Sequence, residues 1–343
     1  GDVLEYVVTV TNTGGAAAHD VNIADTLPAG VVLDTNFTPT ATINNVAVPG
    51  FKPTPTVIGT ATVWGRDNGD SSLVIGVGEA LVLTYRVVIE QANGDLINTA
   101  YVDWTSLAGP SGYERTGAGC PATTPPNDYC AGPAQATITA TDTTTLTKAY
   151  VSDSWSVDGS TASDAIVRVG DTVTYSLTLS LQEGRTSNVR IQDALDPGLA
   201  FLEVVSINGD TAAPYSADPA GVFSHADIPV ANVPAAGQTG TLLWTLGDIY
   251  NALQDSTNND FTIVYRARVV ENVLPQTPST LLNNTATMRY VDGGGVEVVD
   301  PARLVSGAQI EVRQPVMTAL TKIDTAGGRT GTGTQADPPS SLR

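Results

Sequence analysis

The amino-acid sequence predicts an all-β chain of tandem sandwiches, and three observations carry that expectation. Thr, Val, Gly and Pro are abundant while Lys, Met, Cys and His are scarce, the bias of short strands joined by turns rather than of helices. Apolar residues, mostly Val, Ala, Leu and Ile, make up 41% of the chain, enough to fill real cores. Four sequence landmarks recur in one order in the two halves of a 343-residue chain, a length that suits two or three sandwiches of roughly 100 to 150 residues each.

The first landmark is GDVLEYVVTV (1–10) against GDTVTYSLTL (170–179). Each is a turn followed by alternation, predicting a strand that buries Val3, Tyr6, Val8 and Val10, or Val173, Tyr175, Leu177 and Leu179. The second, VNIADTLPAG (21–30) against VRIQDALDPG (189–198), reads as a strand ending at an Asp and a Pro-Gly turn. The third is VLTYRVVIE (82–90) against TIVYRARVVE (262–271), and the fourth LINTAYVD (96–103) against LLNNTATMRYVD (281–292). They divide the chain into a unit over 1–141, a unit over 142–315 and a tail over 316–343. An Ala-, Pro- and Asp-rich insertion near 208–240 is expected to cover a face of the second unit or meet a neighbouring subunit. The segment 247–255 (GDIYNALQD) is expected to form a short helix with Ile249, Tyr250 and Leu253 on one side.

These motifs resemble a bacterial surface tandem-repeat domain with the pattern GD-x-x-x-Y, then D-x-LP-x-G, then NTA-x-V. They are also similar to the isopeptide-forming domains of fimbrial subunits and adhesins. The second unit departs in its turns, with SLQEGR where the pattern has Asn-x-Gly and LDPG for LPAG. The resemblance implies immunoglobulin-like sandwiches, export to the cell surface, and a place in a filament, stalk or adhesin rather than an enzyme. A hydrolase motif is not readable in the sequence, and a surface adhesin for a carbohydrate or protein ligand is the competing expectation.

The repeats are out of step with the chain ends. A strand-like TTTLTKAYVSD (143–153) precedes the second GD motif, nothing comparable precedes the first, and VMTALTKID (316–324) repeats that strand in the tail. Lys148 precedes Gly170 by 22 positions, and Lys322 of one copy would precede Gly1 of a following copy by 22. Either the sequence is cut from a longer periodic chain, or copies assemble head to tail, each lending its tail strand to its neighbour's incomplete sandwich. A tail packed back on its own second unit is the plainer alternative.

Lysine occurs three times, as Lys52, Lys148 and Lys322, and the last two share an LTK frame. In the isopeptide-forming relatives a first-strand Lys attacks a last-strand Asn with help from an acid. The resemblance assigns these roles to Lys148, Asn284 and Asp193 within the second unit. Between neighbouring copies it assigns them to Lys322, Asn98 and Asp25. Burial would make the amine nucleophilic and keep the carboxyl protonated. The ordinary alternative has both Asn residues bonding backbone, both Asp residues capping turns and the lysines reaching solvent.

The net charge of −19 argues against nucleic acid as a partner, and no apolar run approaches the roughly 20 residues of a membrane span. Cys120 and Cys130 bracket a Pro-rich segment that reads as a disulfide-closed loop, worth about 2 to 3 kcal/mol and placing the chain in an oxidising, extracellular compartment. Free thiols are the alternative, and two sulfurs without a nearby His make a poor metal site. No cofactor is expected. The acidic loops 66–70 and 291–300 are the weak calcium candidates, since that ion needs six to eight oxygens. His19 and His225 read as turn or surface residues, and Trp64, Trp104, Trp155 and Trp244 as core or inter-domain plugs.

Overall fold

The computed structural model describes residues 1–90, 94–117, 129–154, 165–253, 257–271, 279–315, 317 and 319–321. Among them nearly every regular element is a strand. The first half contains β1 (Val3–Thr11), β2 (His19–Thr26), β3 (Val31–Leu33), β4 (Thr40–Ile43), β5 (Val46–Ala47), β6 (Thr56–Ile58), β7 (Ala61–Gly65), β8 (Ala80–Ile89), β9 (Gly94–Thr105) and β10 (Cys130–Ala140). The second contains β11 (Thr145–Asp153), β12 (Ile166–Val167), β13 (Thr172–Leu181), β14 (Gly184–Ala194), β15 (Leu199–Ile207), β16 (Phe223–His225), β17 (Thr241–Asn251), β18 (Asn259–Val269), β19 (Ser279–Val291), β20 (Glu297–Val298) and β21 (Val305–Arg313). One four-residue helix, α1 (Pro301–Leu304), leads into β21.

Each half is an immunoglobulin-like sandwich. In the second, one sheet runs β11-β13-β18-β15 and the other β12-β21-β19-β14-β17-β16, with β20 on β19. The order β11-β13-β18-β15 faced by β21-β19-β14 matches the ABED and GFC arrangement of that fold, with β16 and β17 added between the fourth and fifth equivalents. In the first, β1-β8-β4-β5, with β3 also on β8, faces β10-β9-β2-β7-β6. Period-two alternation builds both cores: β13 buries Val173, Tyr175, Leu177, Leu179 and Leu181, all at 0% exposure. Trp64 and Trp244 sit at the two core centres, with ring centroids 4.8 Å from Tyr85 and 5.5 Å from Tyr265.

Two expectations are corrected. Residues 247–251 close β17 instead of forming a helix, because Leu242, Trp244 and Leu246 alternate inward and carry the strand onward. Gly247 takes φ 77° at an irregularity beside Val189, which shifts the phase so that Ile249 and Asn251 point inward next. On β1 the inward residue is Leu4 rather than Val3, which is exposed, because the parity that buries Tyr6 also takes positions 4, 8 and 10.

Within the stretch 208–240, β16 pairs with β17, and Tyr215, Phe223 and Ile228 enter the second core. Phe223 meets Phe261 edge-on at 5.5 Å. Trp104 is half-buried and stacked on Tyr129, while Trp155 lies outside the described residues. Cys130 opens β10; Cys120 also lies outside the described residues, so the Cys120 to Cys130 pairing falls there too.

Candidate functional site

Four strands of the second sandwich aim polar side chains at one point of its core. On β11, alternation turns Leu146 and Lys148 inward, and Lys148 lies opposite Leu177 of β13. Asp193 comes from β14, opposite Ala286 of β19. Asn284 comes from β19, opposite Ala308 of β21, and Tyr265 from β18, opposite Tyr175. The small alanines leave room for the longer groups beside them.

Lys148 Nζ donates to Asp193 Oδ1 at 2.5 Å and to the Tyr265 hydroxyl at 2.8 Å. That hydroxyl donates to Asp193 Oδ2 at 2.6 Å and accepts from Asn284 Nδ2 at 2.8 Å. The side chains of Lys148 and Asp193 are 0% exposed, as is Asn284. Nζ also stands 5.1 Å and 5.3 Å from the ring centroids of Tyr175 and Tyr265, within cation–π range. Neither the lysine nor the aspartate behaves as the plainer reading expected: the amine is sealed from solvent and the carboxylate spends both oxygens inside the cluster, not on a turn.

Burial pushes the Lys148 ammonium down to about 8, against the opposing pull of Asp193. The Tyr265 hydroxyl is held far above its ordinary value, first by burial and then by Asp193, so it stays protonated. The Asn284 carbonyl oxygen is buried without a hydrogen bond. An amine whose charged form is disfavoured by burial, a carboxylate oxygen 2.5 Å from it and an amide with an unengaged carbonyl therefore share one dry pocket.

The first sandwich repeats this cluster with one member absent from it. Asp25 on β2 lies opposite Ala100 of β9, Asn98 on β9 opposite Ala136 of β10, and Tyr85 on β8 opposite Tyr6. Asn98 Nδ2 donates to the Tyr85 hydroxyl at 3.0 Å and to Asp25 Oδ2 at 3.3 Å. Asp25 Oδ1 and Asn98 Oδ1 are buried and unpartnered. Desolvation pushes the Asp25 carboxyl up to about 6, although hydrogen bonds from Tyr85 and Asn98 pull the other way. No described lysine reaches it: the Lys52 amine bonds the Gly69 carbonyl, and Lys322 lies outside the described residues.

The vacancy coincides with an open sheet edge. In the second sandwich β11 pairs with β13 and also packs on β21, where the Lys148 amide donates to Ser306 Oγ at 3.0 Å. In the first, β1 pairs with β8, and no described strand lies on its other side. Its inward Leu4, Val8 and Val10 are only half-buried, and Ile138 and Ala140 of β10 pack partly against the same core. Cavities of about 520 Å³ (Leu4, Ile89, Ile138, Ala140) and about 480 Å³ (Val10, Val102, Trp104, Tyr129, Ala131) flank the β1 to β10 seam at its two ends.

Tyr265 and Tyr85 are the functional residues that sequence reasoning missed, although the shared YR of the third landmark marks both. The acidic loops are used locally. Asp70 accepts from the amides of Lys52 and Ser72, and Asp67 accepts from Arg66 and Asn22. Asp292 closes its own turn and Asp300 caps α1. Among the described residues no group of three or more His, Cys, Asp or Glu is placed to hold a metal ion, and no helix is long and apolar enough to cross a membrane.

No family model and no curated protein sequence matches the chain. Among solved structures, the chain is similar to the C-terminal domain of the antigen I/II-family protein AspA of Streptococcus pyogenes. Identity is 11%, coverage 91% of this chain and 92% of that one, and the TM-score 0.28. It is similar also to BcpA, the major pilin subunit of Bacillus cereus, at 13% identity over 90% of this chain and 69% of that one, TM-score 0.28. Likeness this distant leaves function to be read from the side chains themselves.

Proposed function

We propose that this chain is a structural subunit, or a piece of one, in an extracellular filament, stalk or surface fibre. Copies join head to tail when the tail strand around Leu320 to Lys322 of one fills the open edge between β1 and β10 of the next. The observation that carries this reading is the doubled cluster: the same Asp, Asn and Tyr stand in both cores, and the core that no described lysine enters is the one whose edge no described strand covers. Leu320, two residues before Lys322 as Leu146 is before Lys148, is 99% exposed, an apolar side chain with a matching apolar slot elsewhere.

The same reading gives each cluster one chemical event. Lys148 Nζ loses its proton to Asp193 across their 2.5 Å hydrogen bond and attacks Cγ of Asn284. The new Nζ–Cγ bond forms as the Cγ–Nδ2 bond breaks; a second Nζ proton passes to Nδ2, which leaves as ammonia, while the first remains on Asp193. One amide replaces another, so no oxidant or cofactor is needed. Lys322, Asp25 and Asn98 would do the same between copies, turning a non-covalent fibre into a continuous covalent one. Each cluster reacts once, which is self-cross-linking and not enzymatic turnover.

Intact-mass measurement tests the chemistry: each bond removes ammonia, about 17 Da. Domain two should show one such loss, absent in Lys148→Ala and in Asn284→Ala. Copies joined through Lys322 and Asn98 should give a ladder in denaturing electrophoresis that Lys322→Ala abolishes. An unreduced mass with no ladder would remove the cross-linking part, and a chain that stays monomeric at high concentration would remove the fibre itself.

A second reading, a ligand-binding surface adhesin, has one observation in its favour. A cleft of about 1050 Å³ opens on the outer face of β2, β7 and β9, lined by Asn22, Arg66, Tyr101, Asp103 and Glu114. Saturable glycan or protein binding that Tyr101→Ala removes would support it.

A further inference from the structure

The two sandwiches treat the start of their edge strand in opposite ways. In the second, the run into β11 is held by a polar clasp. Asp142 Oδ2 accepts from the Tyr290 hydroxyl and, at 3.3 Å, from Arg303 Nη2, while Oδ1 accepts from the Thr144 amide at 2.9 Å. Arg303 Nη1 also donates to the Thr144 carbonyl. Asp142 is 8% exposed and Tyr290 4%.

The register carries this place into the first sandwich. Asn284 corresponds to Asn98 and Met288 to Val102, because Asp193 and Ile191 face the former strand as Asp25 and Ile23 face the latter. Tyr290 therefore corresponds to Trp104. Arg303 has no counterpart there, since β10 bulges between Ala131 and Ala134 and continues as a strand, with Ala131 opposite Val102 and Cys130 opposite Asp103. Trp104 stacks on Tyr129 at 5.6 Å and 19°. The cavity they line with Val10, Ala18, Val102 and Ala131 contains no Asp, Glu, Lys or Arg.

The tail differs from the β11 segment at the matching position. Asp142 stands six residues before Lys148, and Val316 stands six before Lys322. The receiver thus carries Trp104 where Tyr290 stands and has no equivalent of Arg303, and the tail sequence carries Val316 where Asp142 stands. Val10 corresponds to Leu179, the register partner of Leu146, and so falls opposite Leu320.

We propose that the uncharged mouth formed by Trp104, Tyr129, Val10 and Ala131 selects residues 316–322 of a second copy and rejects a β11-type strand. Val316 and Leu320 fill it, while an aspartate at the first position would lose water there with no cation to pair it, only the neutral Thr11, Asn12, Thr13 and Ser106 lining the same cavity. This rests on the head-to-tail reading and adds the basis of its fidelity: a free tail is matched to the first sandwich, and the strand already housed in the second cannot compete.

The test uses the full chain, with association followed by sedimentation and by the denaturing ladder. Val316→Asp should weaken association by on the order of 100-fold, and Val316→Ile should retain it. Circular dichroism of each variant, compared with wild type, checks that the fold itself is unchanged. A peptide of sequence PVMTALTKIDT should inhibit assembly, whereas TDTTTLTKAYV, from the β11 region, should not. If wild type assembles while Val316→Asp and both peptides act alike, the mouth confers no selectivity and the inference is overturned with the fibre reading intact. If wild type does not associate at all, both fall.

Discussion

β13 and β1 are the same strand built twice, and they differ in what lies beside them. β13 sits between β11 and β18 and buries five inward side chains completely; β1 sits at an edge of the described strands, and of its four inward residues only Tyr6, still 9% exposed, is buried. The residues themselves are close equivalents, so the difference in burial comes from the neighbour, not from the strand. A sheet edge with half-buried Val8, Val10 and Leu4 beside it is a surface that further strand pairing would stabilise. Asp25 Oδ1, in the same core, is buried without a hydrogen-bond partner.

The largest expected effect comes from making the second core resemble the first. Lys148→Ala strands Asp193 in a dry pocket and should cost about 3 to 5 kcal/mol in the folding of that sandwich, read as a lower denaturant midpoint. Lys148→Ala combined with Asp193→Ala should recover part of that loss.

The empty cluster should show in pH. Asp25 ordinarily titrates near 3.8 and is raised to about 6 in the folded state, where it faces Tyr6, Tyr85 and Asn98. The folded form therefore binds the proton more tightly, and stability is greatest below pH 4 and falls as pH rises through 6. The difference is about 3 kcal/mol from this group. Asp25→Asn should flatten the curve, and so should occupation by the tail peptide, whose lysine favours the carboxylate. A first-sandwich unfolding curve unchanged between pH 4 and 7 would show that the slot is already satisfied.

The second core should respond in the opposite sense when its amide cannot form. In Asn284→Ala, Lys148 remains a titrating group whose folded value is depressed to about 8 from 10.5. The unfolded chain then binds more protons between those values, so stability should rise with pH across that window. The smallest effect is expected for Tyr265→Phe, which removes one hydroxyl from a cluster that retains the 2.5 Å ion pair. A loss of about 1 to 2 kcal/mol is expected, and cross-linking followed by mass over time should be slower rather than absent.

Much of this comparison is legible in the sequence because strand periodicity and a tandem repeat are both local signals. Alternation in GDTVTYSLTL and the LTK frame point at the inward Lys148, and the repeated landmarks pair Asp193 with Asp25 and Asn284 with Asn98. The tyrosines were overlooked because an inward Tyr on a strand reads as core filler; their role emerges from where the hydroxyl ends, which depends on β18 lying between β13 and β15. The expected helix at 247–255 failed for a related reason. Ile249 and Leu253 stand four apart, which reads as helical spacing, whereas a glycine at positive φ shifts the strand's phase so that Ile249 and Asn251 continue its inward face. The exchange of Tyr290 for Trp104 was invisible until strand register aligned residues nearly two hundred positions apart.

Lys148 lies near the start of the second sandwich and Asn284 on its penultimate long strand, in opposite sheets. With the amide formed, a pull applied at Thr145 and Arg313 passes through that bond and along β19 and β21. Everything from β13 through β18 then hangs off the line of tension. With that bond in place the module would resist stretching by covalent chemistry instead of unzipping from its first strand, and the first sandwich would gain the same resistance only if a lysine were joined to Asn98.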